Sequence, residues 1–150
     1  MSATASKARL RLWLRMLRAT RAIELRVRER LRVEHDATLP RFDVLATLAR
    51  SEDGMILSEL SRSLMVSNGN ITGIVDRLVA DGLIERSRRN GDRRTSYVRL
   101  SAEGRRVFEG MAAEHERWVD EMLQAVSPQE AEHLSAVLDT LTARAAQELS

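Results

Sequence analysis

Between residues 58 and 82 the apolar residues follow two short helical patterns that are separated by a few residues. Ser58 is a suitable N-cap for the first helix, and Ser67 is a suitable N-cap for the second. In the second helix the apolar residues recur at helical spacing from Ile71 to Val79, and Asp81-Gly82 ends it. Two helices joined by a tight turn, the second with a polar outer face, predict a helix-turn-helix.

A short hairpin pattern follows this pair of helices. Leu83 to Arg88 and Ser96 to Leu100 read as two strands, with Asn90-Gly91 marking the turn region between them. Residues 83–100 hold six arginines against Glu85 and Asp92, a local charge of +4. A basic hairpin directly after a helix-turn-helix predicts a winged helix, whereas a solvated charged loop is the alternative interpretation.

The second helix of the pair has an unusually small outer face. At 100° per residue, the side opposite its apolar stripe presents Gly69, Gly73, Asp76 and Ala80. Each interior glycine costs roughly 1 kcal/mol relative to alanine, so two on one face indicate close approach to a partner surface. The alternative is a capped helix that faces solvent.

Four further helices are predicted around this unit. Residues 7 to about 34 form one long helix, and Pro40 lies in the first turn of a second helix that ends near Arg50. Ser101 opens another long helix that extends to Val126. Ser127-Pro128-Gln129-Glu130 is a capping box, which begins the last helix. The predicted fold is therefore mainly α with a small β-hairpin wing.

The terminal helices carry apolar stripes that a chain of 150 residues has little surface to cover. We expect them to form a homodimer interface, although periodicity alone leaves packing within one chain open. Residues 1–35 carry a net charge of +7 and residues 101–150 a net charge of −6, which attract each other in such a dimer. The predicted interface residues are Leu10, Trp13, Leu14, Leu17, Leu134, Val137, Leu138 and Leu141.

Composition excludes several classes of protein. The chain has no cysteine, which removes disulfide frameworks, thiolate metal sites and cysteine nucleophiles. Its three histidines are not spaced as metal ligands, and it contains no phosphate-binding glycine loop or nucleophile elbow. No apolar run approaches the roughly 20 residues of a membrane span. We therefore expect a cytoplasmic protein that is not an enzyme and has no metal, no cofactor and no membrane partner.

The motifs taken in order resemble the MarR family of bacterial transcription regulators. The resemblance is most specific in Leu57-Ser58-Glu59-Leu60, in residues 67–86, and in Asp92-Arg93-Arg94 followed by Val98-Arg99-Leu100-Ser101. It implies a single domain over residues 1–150, in which residues 36–100 form the winged helix-turn-helix. Residues 1–35 and 101–150 then form the helical dimerisation region.

The resemblance also implies DNA contacts at matching positions. Four polar residues at the start of the second helix of the pair face the major groove, and Arg77 faces the backbone. Arg94, steadied by Asp92 and next to Arg93, enters the minor groove. The four major-groove residues are Ser67, Asn68, Asn70 and Thr72.

Family members often release DNA when a small molecule binds between the dimerisation helices and the DNA-binding region. An arginine-rich first helix suits an anionic effector, such as an aromatic acid or an aromatic acyl-CoA. The alternative is that methionine and aromatic residues at helical spacing belong to the core. The candidate effector-binding residues are Met16, Arg21, Phe42, Met111, His115 and Trp118.

The sequence thus predicts a homodimeric repressor that binds a palindromic double-stranded DNA operator and is released by a small-molecule effector. Two alternatives remain at this point. A nucleoid-type protein that coats DNA without choosing sites shares the basic wing. A protein-interaction module, in which the outer helix face meets another protein, predicts no DNA binding.

Overall fold

The computed structural model describes residues 3–64, 68–88 and 96–148. These residues form a mainly helical chain with a small antiparallel sheet, as predicted. The elements in chain order are α1 (Ala3–His35), α2 (Leu39–Ala49), β1 (Met55–Ile56), α3 (Leu57–Leu64), α4 (Asn68–Ala80), β2 (Ile84–Arg88), β3 (Ser96–Leu100), α5 (Ala102–Met122) and α6 (Pro128–Gln147).

Side-chain caps set the N-termini of three helices. The Thr38 hydroxyl accepts from the Arg41 amide at the start of α2, and the Ser101 hydroxyl accepts from the Gly104 amide at the start of α5. Ser127 and Glu130 form the predicted reciprocal capping box of α6, with Pro128 in the first turn. These local bonds satisfy amide groups that a helix leaves without an internal partner.

Two predicted helix ends are wrong. Leu57 is already helical, so Ser58 lies inside α3 and is not its N-cap. The chain enters this helix directly from β1, a two-residue strand that is too short to show a period in the sequence. α5 stops at Met122, before Val126, because Leu123 has φ of −103° and ψ of 13° and so leaves the helical conformation.

The sheet has the strand order β1-β3-β2, with both pairs antiparallel. Met55 pairs with Val98, and Ile84 pairs with Leu100. Gly54 precedes β1 with φ of +82°, and a Cβ there would lie 2.3 Å from the Val98 carbonyl oxygen. This position therefore requires glycine, because β1 passes the backbone of β3 at close range.

One hydrophobic core joins the helix-turn-helix to the middle of the flanking helices. It takes Val27 and Leu31 from α1 and Met111 and Trp118 from α5. The remaining buried members come from α2, α3, α4 and the sheet: Phe42, Val44, Leu45, Leu48, Leu60, Ile71, Val75, Leu78, Ile84, Val98 and Leu100. The N-terminal half of α1 supplies no buried side chain to this core, and neither does α6.

The unburied parts of α1 and α6 nevertheless carry large apolar side chains. Leu10, Trp13 and Leu14 on α1 are 52–57% exposed, and Leu134, Val137, Leu138 and Leu141 on α6 are 41–50% exposed. Leu17 is half-buried. Such contiguous exposed apolar surface is typical of a protein interface. Within the described ranges, no helix has the length and apolar character needed to cross a bilayer.

Candidate nucleic-acid interface

Helix α4 has the two faces that its sequence predicts. Ile71, Val75 and Leu78 are fully buried against the core. The opposite side is exposed along its whole length, and it presents Gly69, Gly73, Asp76 and Ala80. The second helix of the pair thus offers solvent a flat surface, because small side chains occupy the exposed positions.

The two glycines of this face are not required by the fold. A Cβ built at Gly69 or Gly73 meets no atom of the described chain within 4 Å, and neither glycine has a positive φ. Alanine would therefore fit within the chain and would stabilise the helix by roughly 1 kcal/mol at each position. Within residues 3–64, 68–88 and 96–148, no contact therefore explains glycine at these positions.

Among the predicted DNA-contacting residues, Asn70, Thr72 and Arg77 lie on α4 with exposed side chains. Asn68 is the first residue of that helix. The predictions for Ser67, Asp92, Arg93 and Arg94 concern residues outside the described ranges. The structure therefore places four of the residues predicted to contact DNA on the helix that carries the flat surface.

Two arginines of the wing hairpin, Arg86 and Arg99, lie on opposite faces of it, although the sequence suggested a single basic strip. Arg86 lies opposite the buried Val98, so its side chain leaves the hairpin on the face that packs on the core and α4. Arg99 lies opposite Glu85 on the outer face, where the two side chains form an ion pair of 2.9 Å. The period-two alternation of the strands, applied to the arginines, distinguishes these faces.

An ion pair connects the hairpin to α4. The Arg86 guanidinium lies 2.9 Å from the Asp76 carboxylate on the outer face of α4. The Arg86 side chain is 28% exposed and the Asp76 side chain 54% exposed. Helical spacing predicts that Asp76 lies on this face, but it does not predict the partner of Asp76, because pairing across ten positions depends on the path of the chain.

The turn between α4 and β2 is clamped to the start of α5. Gly82, with φ of +76°, ends α4, and the Leu83 amide donates to the Leu78 carbonyl in the six-residue closure of a Schellman motif. The Gly82 carbonyl accepts from the Ser101 hydroxyl at 2.6 Å, and the Leu83 carbonyl accepts from the Ser101 amide at 3.0 Å. The helix-turn-helix and the long helix α5 are thus held together at the base of the hairpin.

The candidate effector residues fall into two groups. Phe42, Met111 and Trp118 are 2–5% exposed and belong to the core, which is the alternative that the sequence left open. The Phe42 ring lies 4.7 Å from the His115 ring between centroids, so α2 and α5 bring these two together. Met16 is half-buried and Arg21 is exposed, both on α1.

Asp43 introduces a carboxylate next to this aromatic contact. Burial of the side chain raises its pKa above the ordinary value, and the Glu24 carboxylate raises it further, whereas His115 and Arg28 lower it. The junction of α1, α2 and α5 therefore holds a charge in surroundings that disfavour it. The sequence does not predict the partial burial of Asp43, because the spacing of the apolar residues in α2 does not distinguish this position.

We expect Asp43→Asn to raise the free energy of unfolding at neutral pH. Because the pKa of the folded state is raised, the carboxyl group stabilises the fold when protonated, and that stability is lost as the pH rises through the folded pKa. The gain from asparagine should therefore disappear below about pH 4. Urea denaturation at several pH values measures this, with Asp53→Asn in an exposed turn as control. An asparagine variant that is no more stable at pH 7 contradicts the interpretation.

Comparison with known proteins adds to this geometry. The sequence model of the MarR family matches residues 37–96. A MarR family transcriptional regulator from Silicibacter pomeroyi is 31% identical, with a TM-score of 0.76, over 95% of this chain and 99% of that chain. The transcriptional regulator BldR from Sulfolobus solfataricus is 26% identical, with a TM-score of 0.82, over 96% and 99% of the two chains.

Curated relatives match over a shorter stretch. The HTH-type transcriptional regulator PecS of Dickeya dadantii (strain 3937) is 33% identical over 99 residues, which is 65% of this chain and 60% of that protein. The next two relatives, both from Bacillus subtilis, are matched over 59% and 57% of their length. The similarity to these proteins therefore covers a little under two thirds of each.

Proposed function

The chain belongs to the MarR family of transcriptional regulators, and we propose that it is a homodimeric repressor that binds a palindromic operator and is released by a small-molecule effector. The relatives are transcriptional regulators and not enzymes, in agreement with the sequence prediction. Residues 36–100 are the proposed DNA-binding region, and residues 1–35 and 101–150 the proposed dimerisation region.

The flat outer face of α4 is the observation that carries the DNA-binding proposal. The two exposed glycines cost helix stability and relieve no contact with the described residues of the chain. This cost is accounted for if the helix backbone at these two positions comes so close to the floor of a major groove that even a Cβ would collide with base edges. Asn70 and Thr72 on the first turns supply short hydrogen-bonding groups, and Arg77 supplies charge to the backbone.

A second copy of the chain accounts for the exposed apolar surface. An open groove of about 650 Å³ runs between α5 and α6, lined by apolar side chains such as Val119, Leu123 and Val126. Glu116, Asp120 and Arg117 line the same groove, which therefore carries one net negative charge. The arginine-rich, apolar N-terminal half of α1 from a second copy complements both features. Two α4 helices in such a dimer would read successive major grooves about 34 Å apart.

The proposed effector is an anionic aromatic compound, such as an aromatic acid or its CoA ester. It is proposed to bind near the junction of α1, α2 and α5. CouR from Rhodococcus jostii RHA1, which shares the fold at 17% identity, is described in complex with p-coumaroyl-CoA. The exposed arginines of α1, among them Arg21, support this proposal, because a guanidinium binds a carboxylate or a phosphate. Such a ligand releases DNA if it binds better to dimers whose α4 helices miss the groove spacing.

Repression is the proposed outcome of operator binding, and activation is the competing one. A relative from Rhodopseudomonas palustris, 36% identical over 77 residues, is named the transcriptional activatory protein BadR. MepR from Staphylococcus aureus, a fold neighbour at 18% identity, is described in complex with DNA. A run-off transcription assay with the protein added to its own promoter distinguishes repression from activation.

Fluorescence-anisotropy titration tests the DNA-binding proposal against the DNA-coating alternative. The probes are a duplex from the region upstream of the protein's own gene and a scrambled duplex, each at two salt concentrations. Tighter binding to the native duplex by about 10³-fold or more supports a site-specific regulator. Equal affinity for every native and scrambled duplex tried, with a steep salt dependence, supports the coating protein instead. No binding to either duplex contradicts both.

We expect Arg94→Ala to weaken operator binding at least tenfold, because an arginine at the hairpin tip is attracted by the deep negative potential of a narrow minor groove. Arg99→Ala removes the same charge from the outer face of the hairpin and should leave affinity within about twofold of the parent. The same titration measures both. Equal affinity and salt slope for Arg94→Ala and the parent would show that the wing assignment is wrong.

A further inference from the structure

Arg86 occupies a position where the strand pattern favours an apolar residue. In β2 the residue two positions before it, Ile84, is buried, and both residues lie on the same face of the hairpin. Arg86 is opposite Val98, which is fully buried. Its side chain is nevertheless 28% exposed, because it extends past the end of the core to the outer face of α4. The guanidinium therefore lies at the junction between helix and wing.

Asp76 supplies the partner for Arg86 at an electrostatic cost to DNA binding. It lies on the flat outer face of α4, in line with Gly69 and Gly73, where a carboxylate repels a phosphate backbone. An ion pair this exposed contributes at most about 1 kcal/mol to folding. A contribution of that size does not explain why an acid occupies a surface that binds an anion. Orientation of the Arg86 guanidinium explains it better, since a carboxylate on one edge of a guanidinium leaves the donors of the other edge free.

We propose that Asp76 is a positioning residue that fixes the wing against α4 and presents the Arg86 guanidinium to a backbone phosphate of bound DNA. The inference rests on the proposed function, since it assumes that α4 and the wing bind one duplex together. Arg86 then contributes a phosphate contact at the junction of the helix and the wing. Asp76 acts through Arg86 and does not itself contact the DNA.

The sign of the effect of Asp76→Asn separates this role from simple electrostatics. Removing a negative charge from a DNA-facing surface should, by charge alone, tighten binding to every duplex. If Asp76 positions Arg86, the variant instead loses about tenfold in affinity for both duplexes, because a phosphate contact carries no sequence information. Anisotropy titration with both duplexes measures the sign and size of the change, and tighter binding to both would overturn the proposal.

Glu85→Gln is the matched control. It removes the same charge and breaks an ion pair of the same 2.9 Å length, with Arg99, on the outer face of the same hairpin. We expect no loss of specific affinity from this variant. Loss from both variants to the same extent would show that the hairpin needs its ion pairs for stability alone, and would overturn the proposal.

Arg86 is tested by the salt dependence of binding. Arg86→Gln should lower specific affinity and reduce the slope of log K against log salt by about one, because one phosphate contact is lost. Asp76→Asn should leave that slope closer to the parent value. A slope for Arg86→Gln equal to that of the parent, with unfolding midpoints matched, would overturn the phosphate contact.

Exchanging the charges of Asp76 and Arg86 separates an effect on DNA binding from an effect on folding. In the double variant Asp76→Arg with Arg86→Asp the ion pair can form in the opposite sense, so the unfolding midpoint should return towards that of the parent. Operator binding should stay weak, because the carboxylate now stands at the junction. Recovery of both properties would overturn the proposal. Failure of the parent protein to prefer the native duplex would instead refute the proposed function, so the two failures are distinguishable.

Discussion

Gly104→Ala should lower the free energy of unfolding by about 3 kcal/mol, the upper part of the usual range for inserting atoms into a packed site. A Cβ at this position would lie 1.9 Å from the Leu83 carbonyl oxygen. That oxygen is backbone and already accepts a hydrogen bond from the Ser101 amide, so it has little freedom to move. The first turn of α5 must therefore move outward, away from the Gly82 carbonyl that Ser101 also binds.

Gly110→Ala is a control on the same helix. A Cβ at Gly110 meets nothing within 4 Å, so alanine there should stabilise α5 by roughly 1 kcal/mol. Urea denaturation followed by circular dichroism, with all variants at one protein concentration, measures both effects. A midpoint for Gly104→Ala that stays at the parent value, or rises with that of Gly110→Ala, would show that the close contact between α5 and the Gly82-Leu83 turn does not constrain this position.

The contact between the start of α5 and the Gly82-Leu83 turn also gives Gly104→Ala a functional consequence. The start of α5 is bonded to the base of the hairpin through Ser101, while the rest of α5 packs on α1 and α2. A displacement of α5 is therefore transmitted directly to the wing. We expect Gly104→Ala to reduce operator affinity at temperatures where the variant is still folded.

Several parts of the fold were predictable because their causes are local. The capping box at Ser127 and Glu130 needs four consecutive residues, and it appears in the structure as predicted. The two faces of α4 follow from helical spacing, which places Ile71, Val75 and Leu78 in the core. The strand ending at Leu100 shows its alternation in five residues. In each case the sequence pattern and the bond or burial that it predicts lie within one element.

The features that were missed depend on contacts between elements. Strand β1 exists because two residues pair with β3, more than forty positions later in the chain. The division of the wing arginines into two faces follows from the register of β2 and β3. Phe42 and Trp118 are core residues because α1, α2 and α5 converge on them, whereas spacing alone suited a ligand pocket equally well. Such contacts require the path of the chain, which periodicity does not specify.

The proposed dimer interface is inferred from apolar side chains that a single copy of the chain leaves exposed to solvent. The apolar residues of α6 lie on one side of a helix of which no residue is buried. Burying the exposed half of a leucine contributes roughly 1 kcal/mol, and in a two-fold symmetric dimer every residue is present twice. The eight predicted interface residues can therefore hold two copies together without any change in the fold of each.

Leu138→Glu should dissociate this dimer. Leu138 is 44% exposed in the single chain, so glutamate there leaves the fold of the chain intact while placing two charges in the apolar interface. Light scattering should then report the 17.0 kDa of one chain in place of twice that mass. Operator affinity should fall by about 100-fold or more, because the second half-site is no longer bound intramolecularly.

Ala143→Glu provides the control for this substitution. Ala143 is exposed on the opposite side of α6, so it adds the same charge to the same helix outside the apolar stripe. This variant should remain dimeric and bind the operator like the parent, with matching circular dichroism spectra for all three proteins. A Leu138→Glu variant that stays dimeric would show that the α6 stripe is not the interface. A monomer that keeps full operator affinity would show that one winged helix is sufficient for specific binding.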